Sequence, residues 1–220
     1  MKGCDRLPGR LTSGSRYQQQ WSDMNAECNA EDTRQNILNV AAEEIHLHGF
    51  QAANTSEIIK KADVSKGALY HHFGSKLALG YAVLDEVFAP KFMDMWQPVI
   101  ESDKPIEDMI SFFHEALTWV KCDCISKGCP LNNLAQEMSP VDEGFRVRVN
   151  DVMSAWRQGI AQALQRGKKS GLVRQDLNAE RTALFLIASI EGAHGLAKNA
   201  QDIDIFSECF YGIIDYLERL

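Results

Sequence analysis

Apolar residues recur three or four positions apart along almost the whole chain, and this spacing constrains the fold more than any other feature. Such spacing is typical of helices that bury one face. No stretch after residue 30 alternates as a strand does. The sequence therefore predicts an all-α protein of about nine helices. The clearest stripe, between residues 143 and 166, consists of Phe145, Val149, Val152, Trp156, Ile160 and Ala163.

The composition is that of a globular protein with a sizeable core, since 45% of the residues are hydrophobic and 24% are charged. No apolar run approaches the ~18 residues of a membrane span, so no membrane partner is expected. Residues 1–30 are interpreted as a disordered leader or a non-native extension, because they contain no continuous apolar core. Without an export signal, the six cysteines indicate a reducing compartment and a cytoplasmic location.

Residues 54–73 have the pattern of two short helices joined by a tight turn. Asn54 is a good N-cap for the first helix, and Glu57 stands three positions later, where a capping box has an acid. A three-residue turn follows, and its last residue, Ser65, caps a second helix over residues 66–73. This arrangement predicts a helix-turn-helix.

The charge distribution around this segment differs from that of the whole chain, whose net charge is −7. Residues 58–84 contain four lysines and one aspartate, and no carboxylate lies between Val64 and Leu84. Phosphate contacts need only such a local basic face. On these grounds alone, the segment is either a DNA-binding element or a helical hairpin with a solvated polar face.

If the second helix enters a major groove, its side chains divide into two roles. Gly67 and Ala68 are small enough to approach base edges, and Lys66 can reach a base or a phosphate. The hydroxyl, imidazole, amide and ammonium groups of nearby side chains can donate hydrogen bonds to the phosphate oxygens of the DNA backbone. The predicted partner is double-stranded DNA. The predicted DNA-binding residues are Asn54, Ser65, Lys66, Gly67, Ala68, Tyr70, His71 and Lys76.

The run from Gly49 to Leu79 closely resembles the N-terminal domain of TetR/AcrR-type helix-turn-helix transcriptional regulators. Ile59 and Asp63 depart from the usual Ala and Gly, and Asn54 from the usual Thr. Both Asn54 and Asp63 can serve the same backbone roles. The resemblance rests on Gly49, Phe50, Asn54, Ile58, Ala62, Val64, Ser65, Gly67, Leu69, Tyr70, Phe73, Ser75 and Lys76.

The resemblance implies a helix-turn-helix domain at residues 31–78 and a regulatory and dimerisation body at residues 79–220. The implied function is a repressor that a small-molecule effector releases from a palindromic operator. Residues 178–219 would form the interface of a homodimer. An all-helical enzyme is the contrasting interpretation, but no nucleophile, base and orienting group show a recognisable spacing.

Bulky apolar side chains of the body are candidates to line an effector cavity. Plain core packing is the alternative for each of them. No metal, cofactor or sugar-phosphate motif narrows the ligand, so neither a cofactor nor a metal is expected. The candidate ligand-binding residues are Phe112, Phe113, Trp119, Phe145, Met153 and Trp156.

Three cysteines, Cys122, Cys124 and Cys129, lie close together in the sequence. Their spacing lacks the usual Cys pairs of a zinc site, and a fourth ligand is not evident. Lysines on either side favour thiolates, so a redox- or electrophile-responsive repressor that uses Cys129 is an alternative function. The segment 128–137 also resembles a Gly-Cys-containing element of one large subset of the family. The contrasting interpretation is that Cys129 is a small buried hydrophobic residue.

Overall fold

The computed structural model describes residues 33–120 and 122–220, apart from the side chains of residues 122–124. All regular structure in these residues is helical. The predicted leader, residues 1–30, lies outside the described residues. The helices are α1 (Thr33–His48), α2 (Thr55–Lys61), α3 (Lys66–Phe73), α4 (Lys76–Val83), α5 (Ala89–Ile100), α6 (Pro105–Trp119), α7 (Cys122–Lys127), α8 (Pro130–Met138), α9 (Glu143–Lys169), α10 (Ala179–Ala200) and α11 (Ile203–Leu217).

A π-helical turn, Leu84–Phe88, joins α4 to α5, so that one rod runs from residue 76 to residue 100. The sequence pattern predicts that this helix ends near Pro90 or slightly beyond. Because Pro90 has no N–H group to donate, a regular α-helix would lose a hydrogen bond there. The wider π turn just before Pro90 accommodates this loss, and the chain stays helical. With the rod counted as one helix and the six-residue α7 set aside, the described residues form nine helices. The all-α prediction is confirmed.

Helices α1, α2 and α3, called the head below, enclose a small core of their own. Ile37 and Leu38 of α1 are fully buried, as is Leu69 of α3. The side-chain amide of Asn36 donates to the carbonyl oxygen of Ala62 at 2.8 Å and ties the end of α2 to α1. The division between residues 78 and 79 stays a prediction, because the rod crosses it without interruption.

Helices α5 to α11 form the body, and the long helix α9 contacts α5, α6, α8 and α10 within it. Trp156 of α9 lies 4.8 Å, between ring centroids, from both Phe92 and Trp96 of α5. Helices α10 and α11 pack closely against each other and end the chain. None of the helices in the described part of the chain is long and apolar enough to cross a membrane.

The head is joined to the body around Phe50, which follows α1. The Phe50 ring lies 4.7 Å from that of Phe145 on α9. The carboxylate of Glu137 in α8 accepts hydrogen bonds from the backbone N–H groups of Phe50 and Gln51, both at 2.8 Å. A side chain at Gly80 of α4 would overlap the Phe50 and Phe145 rings. The junction is therefore closely packed and depends on both apolar and polar contacts.

Candidate nucleic-acid interface

Helix α3 presents a polar face to solvent and an apolar face to the head. The hydroxyl of Ser65 accepts a hydrogen bond from the backbone N–H of Ala68 at 3.0 Å and caps the helix. Leu69 and Phe73 are buried and anchor the helix from its inner side. Ala68 is half-buried. The exposed residues of α3 are Lys66, Gly67, Tyr70, His71 and His72.

The segment before α3 has the backbone geometry that the sequence predicts. The Oδ1 atom of Asn54 accepts a hydrogen bond from the backbone N–H of Ser56 at 2.9 Å, so Asn54 caps α2. Asp63 in the turn has a φ of +52°, which is the left-handed region. Aspartate tolerates this region better than most residues, which explains how it replaces the usual glycine.

Two of the four lysines in the basic segment are bound within the protein. The ammonium group of Lys61 lies 2.8 Å from the carboxylate of Glu44. Lys76 donates to the carbonyl oxygen of Gln51 at 2.9 Å and lies over the Phe50 ring. The basic face is therefore smaller than the sequence suggests. The predicted contact of Lys76 with DNA stays a prediction, and it would use the remaining donors of the ammonium group.

Glu44, which belongs to no motif in the sequence, organises the inner side of the head. Its side chain is only 4% exposed, and its carboxylate also accepts from the backbone N–H of Asn54 at 3.4 Å. The hydrogen bond from Lys61 lowers the pKa of Glu44, so the buried group is ionised at neutral pH. An acidic residue on the core-facing side of α1 is the signal that could have identified it.

Three of the six predicted ligand-binding residues belong to one aromatic cluster inside the body. Phe112 and Phe113 of α6 lie 4.5 and 6.3 Å from Trp96 between ring centroids, and Trp96 contacts Trp156. Each of these four side chains is at most 4% exposed. The cluster is closed in this structure, so a ligand could enter only if the helices moved.

Phe145 lies elsewhere, which corrects the expectation that the six side chains line one cavity. Its ring contacts those of Phe50 and Tyr81 at the junction of head and body, with centroid distances of 4.7 and 5.0 Å. Phe145 lies at this junction because it belongs to the first turn of α9, and that turn packs against the head. Trp119 and Met153 are half-buried against the core. Their role in ligand binding, like that of the aromatic cluster, stays a prediction.

A second polar contact links α4 to the body. The hydroxyl of Tyr81 donates to the Oδ1 atom of Asp142 at 2.6 Å, and the same oxygen accepts from the backbone N–H of Phe145 at 2.8 Å. The hydrogen bond between the two side chains raises the pKa of Tyr81 and lowers that of Asp142. The position of Asp142 directly before an apolar stripe could have identified it as a helix cap.

The structure places Cys129 at the start of α8 with 6% of its surface exposed. Burial raises the pKa of its thiol well above the usual range, and the Glu191 carboxyl group raises it further. A buried, protonated thiol is a poor nucleophile, which weighs against Cys129 as a redox sensor. The side chains of Cys122 and Cys124 lie outside the described residues, so their role stays a prediction. Among the described residues, no three His, Cys, Asp or Glu side chains form a metal-binding cluster.

A helix-turn-helix head on a long rod, followed by a helical body, defines a class of DNA-binding regulators. The sequence profile of the family "Bacterial regulatory proteins, tetR family" matches residues 37–83. The profile "Tetracyclin repressor-like, C-terminal domain" matches residues 105–208. The chain therefore belongs to the TetR family of helix-turn-helix transcriptional regulators, a family whose role is regulatory.

Curated relatives of the chain have names of the same kind. An uncharacterized HTH-type transcriptional regulator in the lacX 3' region of Lactococcus lactis subsp. lactis is 29% identical over 83% of this chain and 91% of its own length. The HTH-type transcriptional repressor DhaR of Mycobacterium sp. (strain GP1) is 25% identical, over 79% of this chain and 87% of its own length.

Solved structures of TetR-family regulators share the fold. One from Chloroflexus aurantiacus J-10-FL superposes with a TM-score of 0.74 at 26% identity and covers 87% of this chain and 97% of its own. Another, from Cytophaga hutchinsonii, has a TM-score of 0.76 and covers 89% of this chain and 98% of its own. The second is only 18% identical, so it supports the fold alone.

Proposed function

We propose that the chain is a repressor that binds a palindromic operator as a homodimer and is released by a small-molecule effector in the cytoplasm. The observation that carries this proposal is the exposed polar face of α3, which is capped by Ser65 and anchored by Leu69 and Phe73. A helix held in this way can enter a major groove without loss of its own packing. The name of DhaR, a transcriptional repressor, supports repression as the outcome of binding.

We assign the exposed residues of the head to two roles on DNA. Lys66, Gly67 and Ala68 stand at the start of α3, the end that contacts base edges in a helix-turn-helix. Tyr70 and His71 are exposed further along and suit phosphate oxygens. Asn54, Ser65 and Lys76 complete the predicted backbone contacts.

We infer that residues 178–219 form the dimer interface. Helix α10 packs against α11, but three of its large apolar side chains are still at least 50% exposed: Leu184, Phe185 and Leu196. Between the two helices lies a largely apolar groove of about 330 Å³, lined in part by Gly192 and Gly212. A large exposed apolar face of this kind marks an interaction surface. A two-fold axis through it would set two copies of α3 about 34 Å apart, matched to a palindrome.

Release by an effector requires that the effector bind the two conformations of the repressor with different affinities. The closed aromatic cluster around Trp96 and the close junction at Phe50 and Phe145 support such a mechanism. A ligand that opens the cluster by displacing α9 would also act at the junction, because α9 begins there. The displacement would then change the orientation of the head.

The proposal is tested with the full chain and a fluorescent duplex that contains the palindrome upstream of its own gene. We expect anisotropy titrations to show binding that is tighter than to a scrambled duplex. Binding should also weaken as salt rises, because bound phosphates release counterions. If the protein binds neither duplex, or binds both equally at every salt concentration, it is not a sequence-specific repressor.

A further inference from the structure

A polar cluster that the proposed function does not use lies where α10 meets the start of α8. Glu191 and His194 are three positions apart on α10, so their side chains project from the same side of the helix. The thiol of Cys129 and the Glu191 carboxyl group are close enough to shift each other's pKa. The His194 ring packs against Phe206 and Phe210 of α11, with centroids 5.1 and 6.4 Å away. Polar and aromatic surfaces therefore meet at one place.

Two atoms of this cluster are buried without a hydrogen-bond partner in the described part of the chain. They are the Oε2 atom of Glu191 and the Nδ1 atom of His194. Buried polar atoms in native proteins almost always have a partner, because leaving one unpaired is costly. Neighbouring unpaired groups on one helix face are therefore suited to a ligand that supplies both hydrogen bonds.

The charge of the cluster limits the ligand. Burial raises the pKa of Glu191 to about 7 and lowers the pKa of His194 to about 4. At neutral pH the imidazole is uncharged and the carboxyl group is neutral or negative, so the site has no positive charge of its own. Two basic residues of this region bind other groups, since His46 donates to the Gly128 carbonyl oxygen and Lys198 to the Oδ1 atom of Asn133. An anionic ligand would be repelled whenever Glu191 is ionised, and no positive charge in the cluster would attract it.

We propose that Cys129, Glu191 and His194 form the polar end of a ligand site that takes an uncharged molecule with a hydroxyl or carbonyl group on an aromatic body. A ligand hydroxyl would donate to the Glu191 carboxylate and accept from the Nδ1–H group of His194, whereas a ligand carbonyl would accept from the protonated Glu191 carboxyl group and from the same N–H group. The aromatic body would lie against Phe206 and Phe210. The binding site does not depend on the proposed function. Only the role of the bound molecule as an effector rests on it.

The site also borders the segment that contacts the head. Gly128, next to Cys129, accepts a hydrogen bond from His46 of α1 at 2.8 Å. Four residues after Cys129, Asn133 of α8 accepts from Lys198 of α10 at 2.9 Å and donates to the carbonyl oxygen of Lys127 at 2.8 Å. A ligand that displaces Cys129 would therefore move a contact of the head directly.

The test uses isothermal titration calorimetry of the full chain with three probes that share one ring: benzyl alcohol, sodium benzoate and toluene. We expect benzyl alcohol to bind about tenfold more tightly than toluene, because it supplies the missing partners. Benzoate should bind about tenfold more weakly than the alcohol at pH 8, where Glu191 is mostly ionised. Equal affinity for the three probes, or no heat of binding from benzyl alcohol, would overturn the proposal.

Substitutions distinguish binding at this site from general effects on the packing of the body. Glu191→Leu and His194→Leu should each lose the preference for the alcohol over toluene, while the near-isosteric Glu191→Gln should keep it and should also bind benzoate. The control is Glu208→Gln, which removes an exposed carboxyl group from α11. An unchanged preference for the alcohol over toluene in Glu191→Leu, or an unchanged discrimination against benzoate in Glu191→Gln, would exclude the site. Operator binding is measured separately, so a protein that binds the alcohol but not DNA would contradict the proposed function alone.

Discussion

Lys66 and Tyr70 stand one helical turn apart on the exposed face of α3, but we expect them to act differently on DNA. Lys66→Ala should weaken operator binding by about 1–3 kcal/mol and change the preferred base at one position, because a base contact is lost. Tyr70→Ala should weaken operator and scrambled duplexes alike, because a phosphate contact carries no sequence information. Anisotropy titrations on both duplexes at one salt concentration measure the difference.

The control for this pair is Lys169→Ala, which removes an exposed lysine at the end of α9, outside the head. It should leave both affinities unchanged. Equal losses on the operator and the scrambled duplex for Lys66→Ala would mean that the base-reading face of α3 lies elsewhere.

The environment of Cys129 also leads to a prediction at the scale of one residue. Burial raises the pKa of its thiol, and the reactive thiolate is therefore scarce at pH 7 to 8. Iodoacetamide should alkylate Cys129 at least about tenfold more slowly in the folded chain than in urea. Peptide mass spectrometry after timed quenching follows this residue alone. Equally fast alkylation in both conditions would restore Cys129 as a candidate sensor.

Among the secondary structure elements, α8 supplies polar contacts that hold the head against the body. Glu137→Ala removes the acceptor for two backbone N–H groups in the turn after α1. We expect it to lower the free energy of unfolding by about 2 kcal/mol, since these donors lose their partner. Amide hydrogen exchange over residues 49–54 should become faster, as measured by mass spectrometry.

The neighbouring substitution Gln136→Ala is the matched control, because this exposed side chain lies on the same helix. It should leave exchange in the head unchanged, and Glu137→Gln should retain part of the protection through its carbonyl oxygen. If Glu137→Ala exchanges no faster than Gln136→Ala, α8 does not hold the turn.

At the scale of the whole molecule, the apolar face of α10 and α11 decides the predicted assembly. Phe185→Glu places a charge on this face, where the native ring is 50% exposed in the single chain. A charge buried at an interface is costly, so the dimer should dissociate and operator affinity should fall at least about tenfold. Sedimentation velocity and anisotropy measure the two effects.

Leu172→Glu is the control for this prediction, because Leu172 is 55% exposed but lies between α9 and α10, outside residues 178–219. It should sediment as the unmodified chain does. A Phe185→Glu protein that remains dimeric would place the interface on another surface.

Local patterns in the sequence are enough to predict most of the helices and the helix-turn-helix. Asn54, Ser65 and Asp142 cap helices through bonds to backbone groups two or three positions away, so their roles follow from local pattern. Leu69 and Phe73 follow from the spacing of apolar residues in the same way. The DNA-binding roles of the exposed residues came from the pattern together with the family resemblance, and they remain predictions.

The contacts between side chains that are far apart in the sequence could not be predicted in this way. Glu137 binds backbone groups 86 and 87 positions away, and nothing near it in the sequence points to them. The same is true of Phe145, which packs at the junction, and of Glu191, whose neighbour Cys129 lies on another helix. The physical reason is that helix periodicity defines which face is buried but not its partner, which depends on how all the helices pack together.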